Sequence, residues 1–218
     1  MIEQILPAEV ASAEAFEDPP ALLLFPEEEA LVDRAVDKRR REFATARGCA
    51  RTALAALGVR PAPILPGERG APEWPGGIVG SITHCAGYRA AAVARACDVP
   101  TIGLDAEPHE VLPGGVLDVI SLPAERERLR ALAAAEPGVC WDRLLFCAKE
   151  ATYKAWFPLA RRWLGFEEAD ILINAADGSF ETRLLVPGPT VGGAPLTGFS
   201  GRWLAREGLL LTAITALA

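Results

Sequence analysis

The chain has 218 residues, half of them hydrophobic, 23% charged and 7% aromatic. That profile fits one globular domain or two small halves on a shared core, and excludes disordered, collagen-like and disulfide-scaffold proteins. Twenty-two Lys and Arg against 29 Asp and Glu leave a formal charge of −7, so bulk charge argues against general nucleic-acid or anionic-membrane binding. Five cysteines without a Cys-x-x-Cys pair argue against a zinc cage and a secreted framework. The acidic start has no signal-peptide layout, and no apolar run is long enough to span a bilayer. The expected location is the cytoplasm.

In chain order, the first periodic segment predicts a helix over 26–57, with an apolar stripe of Val32, Val36, Phe43, Ala46, Ala50, Leu54 and Leu57. The same segment carries Lys38-Arg39-Arg40-Arg41, Arg47 and Arg51. At about 100° per residue Arg39 falls inside the stripe and Arg47 at its edge. A cation buried there needs an anion, either a structural Asp or a ligand phosphate; the other charges form a solvated face. Segment 61–77 holds five prolines and four glycines and reads as a long loop, with Arg69 as a candidate phosphate contact.

Strand-like runs follow at 77–83, 89–95, 101–105, 170–174, 180–186 and 203–214, and helices at 123–135 and 139–157. Asp177-Gly178 and Glu207-Gly208 are hairpin signals. Strands that cluster in hairpins predict an α+β fold, divided near the Pro/Gly break at 108–115 into halves 1–110 and 111–218.

Three segments carry chemistry. Ser81, Thr83 and His84 end a small-residue strand and offer several donors to a phosphate; a lone histidine is more often structural, and His109, in a proline-rich break, is read that way. Asp105-x-Glu107 ends the 101–105 strand, and side chains two apart point to the same side. The helix over 139–157 has Trp141, Leu144, Leu145, Cys147, Ala148, Ala151, Ala155 and Trp156 on one side, with Asp142, Arg143, Lys149, Glu150, Tyr153 and Lys154 on the other. Glu150 and Lys154 alone are an ordinary i,i+4 helix pair. With Asp105 and Glu107 nearby they become an oxygen-rich site for Mg²⁺ flanked by ammonium groups suited to phosphate.

The combination of Gly80-Ser81-Ile82-Thr83-His84, Gly103-Leu104-Asp105-Ala106-Glu107 and Phe146-Cys147-Ala148-Lys149-Glu150-Ala151-Thr152-Tyr153-Lys154-Ala155 resembles the 4′-phosphopantetheinyl transferases. The resemblance is to the monomeric, two-subdomain type that activates siderophore, polyketide and nonribosomal peptide assembly lines. Gly67-Glu68-Arg69-Gly70 and the Arg47-bearing helix add to it, and it runs from about residue 39 to the C-terminus.

The resemblance implies two similar α+β halves with the active site in the cleft between them. It implies transfer of the phosphopantetheine arm from coenzyme A to a serine of an apo acyl- or peptidyl-carrier protein, releasing adenosine 3′,5′-bisphosphate. It further implies Mg²⁺, with Mn²⁺ as a substitute, on Asp105, Glu107 and Glu150. Coenzyme A contacts are implied from Arg39, Arg47, Arg69, Thr83, His84, Lys149 and Lys154, and a catalytic role for Glu150, Lys154 and Asp105. Pro66 stands where relatives place a lysine at the start of the Gly-rich loop. Two rival readings are a non-catalytic module binding coenzyme A or a carrier protein, and a Mg²⁺-dependent phosphoester hydrolase.

Overall fold

The computed structural model describes residues 1–19 and 23–217. An N-terminal turn, Ile2–Ile5, leads into β1 (Ala11–Ala15), then α1 (Pro26–Val32) and α2 (Asp37–Ala56). The predicted 26–57 helix is thus two, broken around Val36, the extended N-cap residue of α2. A long loop holding only a short 3₁₀ turn at Glu68–Gly70 reaches the hairpin β2 (Ile78–Cys85) and β3 (Tyr88–Arg95). These pair as an antiparallel sheet in the order β1-β3-β2.

The second sheet begins with β4 (Gly103–Pro108). Then come α3 (Val116–Ile120), α4 (Pro123–Ala135), α5 (Trp141–Ala160), β5 (Ala169–Asn174), β6 (Ser179–Leu184) and a two-residue ladder, β7 (Thr190–Val191) with β8 (Ala194–Pro195). The hairpin β9 (Gly198–Arg206) and β10 (Leu209–Leu217) closes the chain. The run over 203–214 is therefore two strands, turning at Glu207-Gly208, both at positive φ. The order is β4-β10-β9-β6-β5, all antiparallel. The expected α+β class is what the structure has. Each sheet carries one twenty-residue helix, α2 on the first and α5 on the second.

β4 precedes residue 110 in the chain yet hydrogen-bonds to β10 in the second sheet. Its other edge meets β2 through side chains. Leu104 N donates to Ser81 Oγ and Ala106 N to Thr83 Oγ1, each at 3.0 Å. Two hydroxyls spaced i,i+2 thus satisfy backbone donors that an edge strand would leave open. One apolar cluster crosses this seam, uniting Ile2 and Ile5 with Tyr88, Ala90, Leu104, Leu209 and Leu211.

Gly103 sets the depth at which β4 lies against α5. A Cβ there would stand 2.0 Å from Ala151 O and 2.8 Å from Ala155 N, both backbone atoms. Thr101 Oγ1 locks the same turn by donating to Ala155 O at 2.8 Å. This contact brings Asp105, two residues on, beside the polar stripe of α5. Gly103→Ala should cost about 3 kcal/mol or more, the upper end of overpacking penalties, and be read as a fall in the urea midpoint; an unchanged midpoint would contradict the close approach.

Candidate active site

Side chains one residue apart on a helix diverge by about 100°, while those seven and eleven apart return to within about 20°. Arg143, Glu150 and Lys154 therefore share a stripe of α5, and that stripe faces β4. Lys154 Nζ donates to Asp105 Oδ1 at 2.7 Å, and Thr83 Oγ1 donates to the same oxygen at 3.3 Å. Arg143 Nη1 donates to Glu107 Oε2 at 2.9 Å. Lys154 pairs with Asp105 rather than with Glu150, its i−4 neighbour; Glu150 has no ion-pair partner among the described residues.

Partial burial and then the charges of Asp105 and, more weakly, Glu107 push the Glu150 carboxyl above its ordinary range. Burial and Asp105 do the same to Glu107, against the pull of Arg143 and Lys154. Desolvation works against the Lys154 ammonium, but Asp105 and Glu150 outweigh it and hold its pKa above the usual lysine value. Carboxylates crowded in a shielded site raise each other's pKa because each negative charge opposes the ionisation of its neighbour.

Among the described residues no three His, Cys, Asp or Glu side chains stand close enough together to hold a metal as placed. The donor set nevertheless fits a hard divalent cation. Asp105 Oδ2 is buried without a hydrogen-bond partner, two more carboxylates are destabilised by its charge, and oxygen ligands are what such cations take.

Several expected contacts lie elsewhere. Lys149, one residue from Glu150, points about 100° away and is 2% exposed against Glu125 at 1%. Its ammonium pairs with Glu125 at 2.9 Å and donates to Phe166 O at 2.6 Å and Ala169 O at 2.9 Å. Glu125 in turn accepts from Leu122 N and Ile171 N. In this structure the Lys149 ammonium is committed to protein acceptors, although the residue also lines a pocket beside Glu150. Breaking such a pair strands a buried charge, so Lys149→Met should lower stability by about 3–5 kcal/mol in urea unfolding; a loss within experimental scatter would contradict the pairing.

Thr83 is also not free for phosphate, since its hydroxyl is spent on Asp105 and Ala106 N. Arg39 is exposed rather than inside the apolar stripe, because α2 buries only residues from Ala44 onward. Its Nη1 lies 2.8 Å from His84 Nε2 at the end of β2. Arg47 is buried, stacks on the Phe43 ring at 4.0 Å and donates to Ile64 O. The carboxylate beneath it is Glu28, not an Asp; desolvation wins over that attraction and lowers Arg47 to about 10. Arg69, at φ 53°, lies across the loop with its guanidinium 5.7 Å from the Trp163 ring.

Trp163 rims a small, partly open pocket lined by Lys149, Glu150, Tyr153, Leu164, Gly165, Phe166 and Ala169. It adjoins the acid cluster through Glu150, and the Tyr153 hydroxyl is buried beside it without a partner. Sequence reasoning gave no role to Arg143, Glu125 or Trp163. The i,i+7 spacing of Arg143 and Glu150 was a usable signal; nothing local marked Glu125 or Trp163.

The pocket thus lies beside three carboxylates of β4 and α5 and the Lys154 ammonium. Residues 27–94 match the model of the 4′-phosphopantetheinyl transferase N-terminal domain, and residues 101–190 that of the 4′-phosphopantetheinyl transferase superfamily. The chain is 57% identical over its full length to the 4′-phosphopantetheinyl transferase Svp of Streptomyces mobaraensis, covering 90% of that protein. It is 56% identical to PptT of Mycobacterium tuberculosis over 98% of this chain and 97% of that one. Enterobactin synthase component D of Salmonella typhi is 32% identical over 83% and 73% of the two chains. The chain belongs to the 4′-phosphopantetheinyl transferases and is an enzyme of that type. No helix among the described residues is long and apolar enough to cross a membrane.

Proposed function

We propose that the enzyme moves the 4′-phosphopantetheine arm of coenzyme A onto a serine hydroxyl of an apo acyl- or peptidyl-carrier protein of a siderophore, polyketide or nonribosomal peptide assembly line. The serine Oγ–P bond forms, the bond within the pyrophosphate breaks, and adenosine 3′,5′-bisphosphate leaves. The observation that carries this reading is Asp105: buried, tied on one oxygen to Lys154 and Thr83, unpartnered on the other, and flanked by two acids whose ionisation it opposes.

Asp105, Glu107 and Glu150 would hold a divalent cation, Mg²⁺ by the hardness of the ligands. Such an ion supplies Lewis-acid charge to the pyrophosphate when bound. Bringing a third carboxylate into range takes side-chain rotation, and Glu150 is the acid free to rotate. The protein's own groups do the rest. Glu150, raised above its usual pKa and lacking a counter-ion, takes the proton of the carrier serine. Lys154, kept cationic by Asp105 and Glu150, neutralises charge on the departing phosphate. Arg39, with the His84 ring against it, forms a rim at the end of β2, and the Arg69 guanidinium lies over the Trp163 ring of the pocket. The site is built from one chain, and we take the working unit to be a monomer.

His84 gives a pH signature. Its ring is exposed by area yet crowded, and this desolvation, with the charges of Arg39 and Lys154, lowers its pKa from 6.5. It is neutral in the free enzyme at neutral pH, and a bound phosphate would raise its pKa. Coenzyme A affinity should therefore strengthen as the pH falls from about 7.5 to 6, and His84→Gln should flatten that dependence in calorimetric titrations. Equal slopes in both proteins would contradict a phosphate contact at His84. The reaction itself is tested by incubating apo-carrier proteins with coenzyme A and Mg²⁺ and weighing them: the expected product carries one added phosphopantetheine, and an unchanged mass across carriers of all three assembly-line types would overturn the proposal.

A further inference from the structure

Arg143 is the cation of the α5 stripe for which the proposed chemistry has no use, yet it makes more directed contacts than Lys154 on the same stripe. Besides Glu107 Oε2 at 2.9 Å, its Nε donates to Glu110 O and its Nη2 to Val111 O, each at 3.1 Å. Three acceptors in three directions use the planar fork of a guanidinium, which an ammonium cannot copy. Side-chain exposures of 16% for Arg143 and 19% for Glu107 shield the pair from solvent.

Neighbours on the same turn complete the grip. Asp142 Oδ2 accepts from Leu112 N at 2.9 Å, and Cys140 N donates to His109 Nε2 at 3.1 Å. The chain reversing out of β4, residues 107–112, is thus bound down on the first turn of the helix that carries Glu150 two turns later. Glu107 Oε1 accepts no hydrogen bond among the described residues, so the pairing occupies one carboxylate oxygen and leaves one available.

We propose that Arg143 is a positioning residue: it fixes Glu107 by one oxygen and clamps segment 107–112 to α5, so that the acids of β4 and Glu150 keep their relative placement. This rests on the reading of Asp105, Glu107 and Glu150 as a cation site. Groups that orient metal ligands from behind typically account for about 10–100-fold in metal affinity.

The test is Mn²⁺ binding followed by electron paramagnetic resonance in the absence of coenzyme A and carrier, on the full chain, with amide hydrogen exchange on the same samples. Arg143→Gln should weaken Mn²⁺ binding by about tenfold or more and speed exchange in 107–112. Arg143→Lys, milder for folding, should keep part of the affinity but not the protection of the segment. In Glu107→Gln, whose carboxylate is already gone, adding Arg143→Gln should cost less affinity than it does in the wild type, the remainder being the share carried by the clamp on 107–112. Variants that bind Mn²⁺ within about twofold of the wild type overturn the assignment even if the wild type transfers the arm normally; a merely structural arginine would give that result together with faster exchange in 107–112 or a lowered melting temperature. A wild type that binds no Mn²⁺ overturns the cation site, and the assignment with it.

Discussion

Glu150→Gln should reduce the turnover of arm transfer by about 10²–10⁴, the range for losing a positioned general base, while leaving the fold intact. The asymmetry follows from its surroundings. Glu150 has no ion-pair partner among the described residues to abandon, and burial and two neighbouring acids already penalise its charge. An uncharged isostere removes repulsion, so the urea midpoint should hold or rise. In the cation-free enzyme the Glu150 carboxyl should titrate above its ordinary range, a signal that nuclear magnetic resonance reads and that the variant lacks. A Gln variant within tenfold of wild-type turnover would remove Glu150 from the proton-transfer role.

Lys154→Met should damage both rate and stability, and a second substitution should separate the two. The Lys154 ammonium is the main counter-ion of a carboxylate only 8% exposed, and removing it leaves Asp105 with Thr83 alone. Because the lysine side chain is 29% exposed, the stability loss should be discounted to about 1–3 kcal/mol from the fully buried case. Turnover should fall by about 10²–10³ for the lost electrostatic group. Adding Asp105→Asn removes the stranded charge: stability should largely return in the double variant while turnover stays low. Recovery of turnover along with stability would mean that Lys154 only supports the fold.

The residues that make this site were largely visible as sequence, because its three segments are local. Asp105 and Glu107 share a side by the two-residue period of a strand, and Glu150 and Lys154 share a stripe by the helical repeat. What the sequence could not show was direction between elements. A generous polar face placed Lys149 with Glu150, whereas adjacent helical residues must diverge; only the packing of α4 and β5 reveals Glu125 waiting for that ammonium. Arg39 was read into an apolar stripe that α2 does not bury at that end. Thr83 looked like a phosphate donor, and its hydroxyl instead serves the bare edge of β4, a partner set by a long-range meeting of two sheets. The glycine at 103 carried the closest approach in the site, but its necessity depends on backbone atoms of α5 that are remote in the chain.

The central claim is that Asp105, Glu107 and Glu150 serve one divalent cation beside Lys154. Crystals grown with coenzyme A and Mn²⁺, with diffraction collected at the manganese edge, test it most directly. A single strong anomalous peak is expected, with carboxylate oxygens of all three residues and a pyrophosphate oxygen around it. A peak bound elsewhere, or one that lacks a Glu150 oxygen among its neighbours, would contradict it.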